Sequence, residues 1–243
     1  MFNWLKKKDT PSPAEALRID LHSHLLAGID DGVKTIEQAE EIVRHFQQLG
    51  YSKLITTPHV ISDSYKNTPE IIREKLQELQ MHLRKVNVDV EIQAAAEYYL
   101  DDYLFKLIEQ DKEVLTFGKK YLLFETNFLT EPLNLKEFVF MATVKGYKLI
   151  LAHPERYQYM YHNIEKARDL MDRGVLLQMN INSIAGYYGA EVQSTAKKLI
   201  DRGWVHFLGS DCHHIQHAKL IGDAQSMKYF QKALSLPILN NTL

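Results

Sequence analysis

Residues 145–157 read Lys-Gly-Tyr-Lys-Leu-Ile-Leu-Ala-His-Pro-Glu-Arg-Tyr. Gly146 accepts the left-handed turn that ends a helix, and Lys145 suits the negative end of the helix dipole. Lys148–Ala152 then runs apolar on both faces, as a parallel strand does when helices cover the sheet, and it finishes in His153. The same junction recurs at Leu49-Gly50-Tyr51, Arg173-Gly174-Val175 and Arg202-Gly203-Trp204. Each marks a helix passing into a strand.

Working outward, strands are predicted at Arg18–His22, Lys53–Thr57, Val90–Ala95, Lys120–Glu125, Lys148–Ala152, Val175–Asn180 and Val205–Gly209. Between them, Thr35 and Gln38 form a capping box before Ile36, Ala39, Val43 and Phe46, and Thr68-Pro69 opens a helix lined by Ile72, Leu76, Leu79, Leu83 and Val86. Further helices are predicted at about Leu135–Val144, Asn163–Arg173, Glu191–Arg202 and His217–Leu234. Strand alternating with helix over some seven units predicts an α/β fold, a closed or nearly closed βα barrel in one domain. Residues 18–243 form that domain, and residues 1–17 are expected to be a flexible N-terminal tail.

Composition narrows the chemistry. The 243 residues are 45% hydrophobic, ample for a core, and Lys+Arg 29 against Asp+Glu 31 gives a net charge of -2. No global basic field is available to hold nucleic acid, so phosphate must be bound locally. No apolar run approaches the roughly 20 residues of a membrane span, and Met1–Pro13 lacks the apolar segment of a secretory signal. A soluble, cytoplasmic protein is expected. Eleven histidines accompany one cysteine, Cys212, which leaves no disulfide framework or thiolate cage and makes imidazole and carboxylate the available metal ligands.

Six predicted strands end in such ligands: His22 and His24; His59 after Pro58; Glu97; Glu125; His153; and Asp211 with His213. In a βα barrel these ends share one rim, where active sites are built. His22 and His24, like Asp211 and His213, are two apart on extended chain, so each pair would point to one face. With Asp31, five imidazoles and four carboxylates exceed the needs of one cation. Two or three divalent metals are expected, with zinc, manganese or iron suited to this donor set and Glu97 able to bridge.

Taken in order, Ile19-Asp20-Leu21-His22-Ser23-His24, Gly28-Ile29-Asp30-Asp31-Gly32, Thr57-Pro58-His59, Ala96-Glu97-Tyr98, Phe124-Glu125, Leu151-Ala152-His153-Pro154-Glu155-Arg156 and Ser210-Asp211-Cys212-His213 resemble the PHP (polymerase and histidinol phosphatase) superfamily. Within it the likeness is to bacterial tyrosine-protein phosphatases of capsular and exopolysaccharide synthesis. The resemblance implies a distorted TIM-like (βα)7 barrel with a trinuclear site, manganese being the first expectation. Its ligands would be His22, His24, Asp31, His59, Glu97, Glu125, His153, Asp211 and His213. Asp30 competes with Asp31, and His214 with His213, for the motif positions. Arg156 matches the family's phosphate-binding arginine; the alternative for it is a surface ion pair with Glu155.

The implied activity is hydrolysis of phosphotyrosine, on a bacterial tyrosine kinase that could recruit the protein to the membrane. Arg156 would hold a phosphate oxygen, and Asp31 is a candidate proton donor. The leaving phenolate, with a pKa near 10, makes a strong acid less necessary. Ala218, where a phosphate-cradling arginine would follow Cys212, argues against a cysteine mechanism, and no Gly-X-Ser-X-Gly supports a serine triad. Another PHP phosphoesterase, such as a histidinol-phosphate phosphatase or nuclease, and a non-catalytic kinase-binding regulator are the alternatives. Tyrosines at 98, 99, 103, 157, 159, 161, 187 and 188 flank the expected rim.

Overall fold

Seven parallel strand tracks wrap around an apolar centre in the computed structural model, which describes residues 16–243. Of the tail expected over residues 1–17, residues 1–15 lie outside those described. In chain order the strands are β1 (Ile19–Asp20), β2 (Lys53–Thr56), β3 (His59–Val60), β4 (Glu91–Ala94), β5 (Glu97–Tyr99), β6 (Tyr121–Glu125), β7 (Lys148–Ala152), β8 (Leu176–Asn180) and β9 (Phe207–Gly209). The helices are α1 (Ile36–Gln48), α2 (Pro69–Lys85), α3 (Asp102–Glu109), α4 (Leu135–Val144), α5 (Gln158–Tyr161), α6 (Glu165–Asp172), α7 (Ile181–Ile184), α8 (Ala190–Asp201), α9 (Ile215–Gln225) and α10 (Lys228–Leu234).

Two predicted strands are present, and after a break each is followed by a short strand that was not predicted. The second track stops at Thr56, because Pro58 has no N–H to give the ladder, and resumes as β3; the third stops at Ala94 and resumes as β5. The breaks split the wall into sheets β1-β2-β4 and β3-β5-β6-β7-β8-β9. Past β1 and β9, His22 O accepts from Asp211 N–H at 2.7 Å and Cys212 O from His24 N–H at 2.9 Å, around a parallel Ser23–Cys212 bridge. Below it, Asp20 accepts from the Ser210 N–H and hydroxyl at 2.7 and 2.8 Å. These contacts join the first track to the last, giving the single-domain, TIM-like distorted (βα)7 barrel.

Strand alternation divides the core. Ile150 and Ala152 of β7 join Ile19, Leu21, Ile55, Leu123 and Phe207 in the inner cluster, while Leu149 and Leu151 pack outward with helix residues such as Phe138 and Ala142. Helix starts follow the sequence signals: Thr35 Oγ1 accepts from Gln38 N–H, Thr68 Oγ1 from Ile71 N–H, and Pro69 opens α2. One predicted helix is two. The stretch read as His217–Leu234 breaks at Ser226, whose hydroxyl turns back to Asp223 O, and at Met227, which is extended. Helix α3, capped by Asp101, was not read from the sequence.

Candidate metal centre and active-site cleft

The carboxyl ends of the strands converge as the barrel topology requires, and all nine predicted ligands meet on that rim. Their ligating atoms form four overlapping groups: His24, Asp31, His59 and His213; His22, His24 and Asp211; His22, Glu97 and His153; and His59, Glu97 and Glu125. His22, His24, His59 and Glu97 each belong to two groups. Glu97 Oε2 lies 3.1 Å from His22 Nε2, 3.6 Å from His24 Nε2 and 3.1 Å from His59 Nδ1, while Oε1 lies 3.0 Å from His153 Nε2.

These atoms fit divalent cations. His22 Nε2, His24 Nε2, His59 Nδ1 and Glu97 Oε2 are buried with no hydrogen-bond partner of acceptable geometry, a costly state for polar atoms unless a further group satisfies them. The opposite ring nitrogens are held. His22 Nδ1 meets Gln178 Oε1 at 2.7 Å and His24 Nδ1 meets Asp30 Oδ2 at 2.8 Å, the outer contacts that orient ligating imidazoles.

Asp30 and Asp31 therefore part company. Asp30 is buried, also accepts from Gly32 and His59 N–H groups, and props His24 from behind. Asp31 is half-exposed and brings Oδ1 within 3.5 Å of His59 Nε2 and 3.3 Å of His213 Nε2. His213 faces the cluster, whereas His214 lies against His217, ring centroids 3.8 Å apart and the planes tilted by 42°. The extended-chain reading of Asp211 and His213 needs correction. β9 ends at Gly209, and Asp211 turns left-handed at φ 50°, as His153 does at φ 33°. Such non-glycine residues cost about 1–2 kcal/mol each, so surrounding contacts must impose the turns that aim both side chains inward.

Close packing also fixes two glycines. A Cβ on Gly32 would sit 2.3 Å from His24 O, and one on Gly209 would lie 2.8 Å from His22 Cβ and 2.6 Å from Gln178 Nε2. Either would push a candidate ligand out of place.

Charge balance explains the protonation pattern of the protein alone. Burial opposes a charge on His22 and His59, but Glu97 and its carboxylate neighbours outweigh it and raise them to about 9 and about 10. Burial and the Arg156 charge push His153 down to about 4. Burial, then repulsion from Glu97, raises Glu125 to about 8. The acidic cluster holds protons that cations would displace.

Arg156 is no surface partner of Glu155. Its Nη1 donates to Asp211 Oδ2 at 2.8 Å, and its guanidinium lies between the rings of Phe128 and Tyr188, 4.8 and 4.4 Å from their centroids. Glu155 points inward, accepting from Asn180 N–H and the Ser183 hydroxyl. Arg156 faces a cleft of about 520 Å³ lined also by Asp31, Tyr65, Tyr99, Tyr187 and His217. Of the flanking tyrosines, Tyr99, Tyr187 and Tyr188 reach this cleft, while Tyr98 and Tyr157 are buried in the outer core. Cys212 is buried in that core too, and burial pushes its thiol well above the usual range.

A family model for capsular polysaccharide synthesis, CpsB/CapC, matches residues 18–233. The chain belongs to the CpsB/CapC family. Among relatives of this CpsB/CapC chain, tyrosine-protein phosphatase YwqE of Bacillus subtilis is 28% identical over 202 residues, covering 82% of this chain and 78% of the relative. Tyrosine-protein phosphatase CpsB of Streptococcus pneumoniae is 27% identical over 204 residues, covering 81% and 83%. A crystal structure from the pair YwqE and CpsB, described as unique metal-dependent tyrosine phosphatases, matches with TM-score 0.83 and 25% identity over 92% of this chain and 91% of that one. A histidinol phosphate phosphatase from Lactococcus lactis, at TM-score 0.51 and 13% identity, shares the fold alone.

Sequence reasoning missed the residues that hold this CpsB/CapC site in shape. Phe128, Gln178, Asn180 and His217 carry no local motif, and only the closed barrel brings them beside Arg156, His22 and Asp211; Tyr188 was read as a rim tyrosine, and its place on Arg156 needed the structure. Asp30 was visible as the neighbour of Asp31, and its role as the prop of His24 needed the distance.

Proposed function

We propose that this chain is a metal-dependent phosphotyrosine phosphatase of capsular or exopolysaccharide synthesis. The observation that carries the reading is a cluster of five imidazoles and four carboxylates with a single aromatic-sandwiched arginine at its edge. His22, His24, Asp31, His59, Glu97, Glu125, His153, Asp211 and His213 would hold two or three divalent ions, manganese first, with iron or zinc as the other cations suited to the donors. Bound there, such ions supply charge neutralisation at the phosphate and an activated water.

The chain's own groups do the rest. Arg156 offers a second, unpaired edge of its guanidinium to a non-bridging phosphate oxygen as charge builds there, and it cannot lose its proton. Phe128 and Tyr188 hold that guanidinium flat and keep water from its faces. Burial works against the charge on Asp31, but its hydrogen bond to His213 and the nearby imidazoles outweigh burial and hold its carboxyl below the usual range. In the protein alone Asp31 is thus held as the anion that a metal ligand must be, and it stays the candidate proton donor. The phenolate leaves without a strong acid, its pKa being near 10.

The protein substrate in this reading is a bacterial tyrosine kinase, with which a cytoplasmic phosphatase would meet at the membrane. No helix among the described residues is long and apolar enough to cross a bilayer. The reading is tested by comparing turnover of a phosphotyrosine peptide, histidinol phosphate and a short oligonucleotide. Preference for the peptide is expected, and preference for either other substrate would overturn it.

A further inference from the structure

Four exposed apolar side chains lie between the end of β6 and the end of α4. Leu129, Leu133, Phe140 and Val144 are 61%, 105%, 72% and 70% exposed. Helix α4 is apolar on both sides: Leu135, Phe138, Val139 and Ala142 are buried against the barrel, while Phe140 and Val144 face outward. Phe140 and Val144, four apart on α4, share one helical face, and Leu133 lies in the turn that leads into the helix. Burial of α4 on the barrel does not require this second apolar stripe, and contiguous exposed apolar surface marks an interaction site.

The ridge begins at the catalytic cleft. Phe128 lines the cleft and stacks on Arg156 and on His153, and Leu129 is its neighbour in the chain. Asn127 Oδ1 accepts from the N–H groups of Leu129 and Thr130 at 2.8 and 3.1 Å, and Phe128 O accepts from Gln158 N–H at 2.8 Å. This fixed turn sets Phe128 in the cleft and Leu129 outside it. Charges around the stripe are paired within the chain, as Lys166 with Glu131, Lys136 with Asp169 and Lys145 with Asp111. No strong field there selects an ionic partner.

We propose that this ridge docks the polypeptide that carries the phosphotyrosine, as an extended segment with apolar side chains flanking the modified residue. The inference rests on the phosphatase reading above. A phosphotyrosine seated in the cleft must pass its own chain over the rim, where the β6–α4 connection carries the cleft-lining Phe128 and the exposed Leu129 and Leu133. From Leu135 to Val144 α4 advances about 14 Å, the length of about four extended residues. Four side chains offer a few hundred Å², enough for a transient substrate and below the roughly 800 Å² per partner of a stable complex.

The test compares the full chain with a Leu133→Ser/Phe140→Ser double variant, both metal-replete. The probes are free phosphotyrosine and two phosphotyrosine peptides, one flanked by leucines and one by serines. The variant should turn over free phosphotyrosine within about twofold of the parent and lose about tenfold in kcat/KM on the leucine peptide, through KM. The parent should treat the serine peptide as the variant treats the leucine peptide. Equal kcat/KM for both peptides in both proteins overturns the docking site and leaves the phosphatase reading intact. So does a dimer, seen by sedimentation velocity, that the double substitution dissolves, since the ridge would then join two copies. Failure of the parent to hydrolyse free phosphotyrosine at all overturns both.

Discussion

Removing Arg156 separates phosphate binding from the rest of the centre, because the arginine touches only one side of Asp211. Asp211 Oδ1 faces His22 Nε2 at 3.5 Å and His24 Nε2 at 3.4 Å, whereas Oδ2 takes the Arg156 bond at 2.8 Å. In Arg156→Ala, Oδ2 keeps the Asn180 amide at 2.7 Å, so Asp211 stays aimed and the metals stay bound. What is lost is a charge-assisted contact that strengthens as phosphate charge builds, a loss of about 3–4 kcal/mol in the transition state. At about 1.4 kcal/mol per decade that is roughly 10²–10³ in kcat. Arg156→Lys should recover little of it, since an ammonium neither forks between two oxygens nor stacks flat between Phe128 and Tyr188. The assay is steady-state hydrolysis of phosphotyrosine with metal content measured on the same samples. A kcat within threefold of the parent, or loss of metal along with rate, would refute the separation.

Asp30→Asn keeps an acceptor on His24 Nδ1 but removes its charge, so metal affinity should fall about 10–100-fold in a calorimetric titration of the stripped protein, with the fold retained by circular dichroism. Gly209→Ala places a Cβ 2.8 Å from His22 Cβ, and overpacking of about 1–3 kcal/mol should lower Tm by several degrees in thermal unfolding. Burial raises Glu155 from 4.5 to about 7. Its stabilising contribution is thus complete below about pH 4.5 and lost as pH rises through 7. Metal-free protein should lose on the order of 3 kcal/mol more between pH 5 and 8 than Glu155→Gln does, in urea unfolding at each pH.

The helix-to-strand junctions were legible because each is a local event: a glycine, a basic residue and an apolar run such as Leu149-Ile150-Leu151 lie within ten residues. Ligand identity was legible for a related reason, since a barrel places every strand end on one rim whatever its sequence separation. What stayed hidden is decided across the barrel. Asp211 reaches the cluster through a left-handed turn that the Ser23–Cys212 bridge and Asn180 support, and neither is local to it. The interruptions at Pro58 and after Ala94 were half-visible, for the proline was read and its effect on the ladder was not drawn. His214 was read only as a competitor of His213, and His217 was given no role, yet both line the cleft. Helix α3 had a readable cap in Asp101, whose Oδ1 accepts from the N–H groups of Tyr103 and Leu104.

The central claim is that phosphotyrosine hydrolysis depends on cations held by the nine-residue cluster. The most direct measurement is metal per chain by mass spectrometry alongside phosphotyrosine turnover, before chelation, after it, and after metal is restored. Two or three divalent ions per chain should leave together with activity, and both should return together, while alkylating agents leave Cys212 and the rate untouched. Full turnover from protein carrying less than about a tenth of an ion per chain would contradict the account.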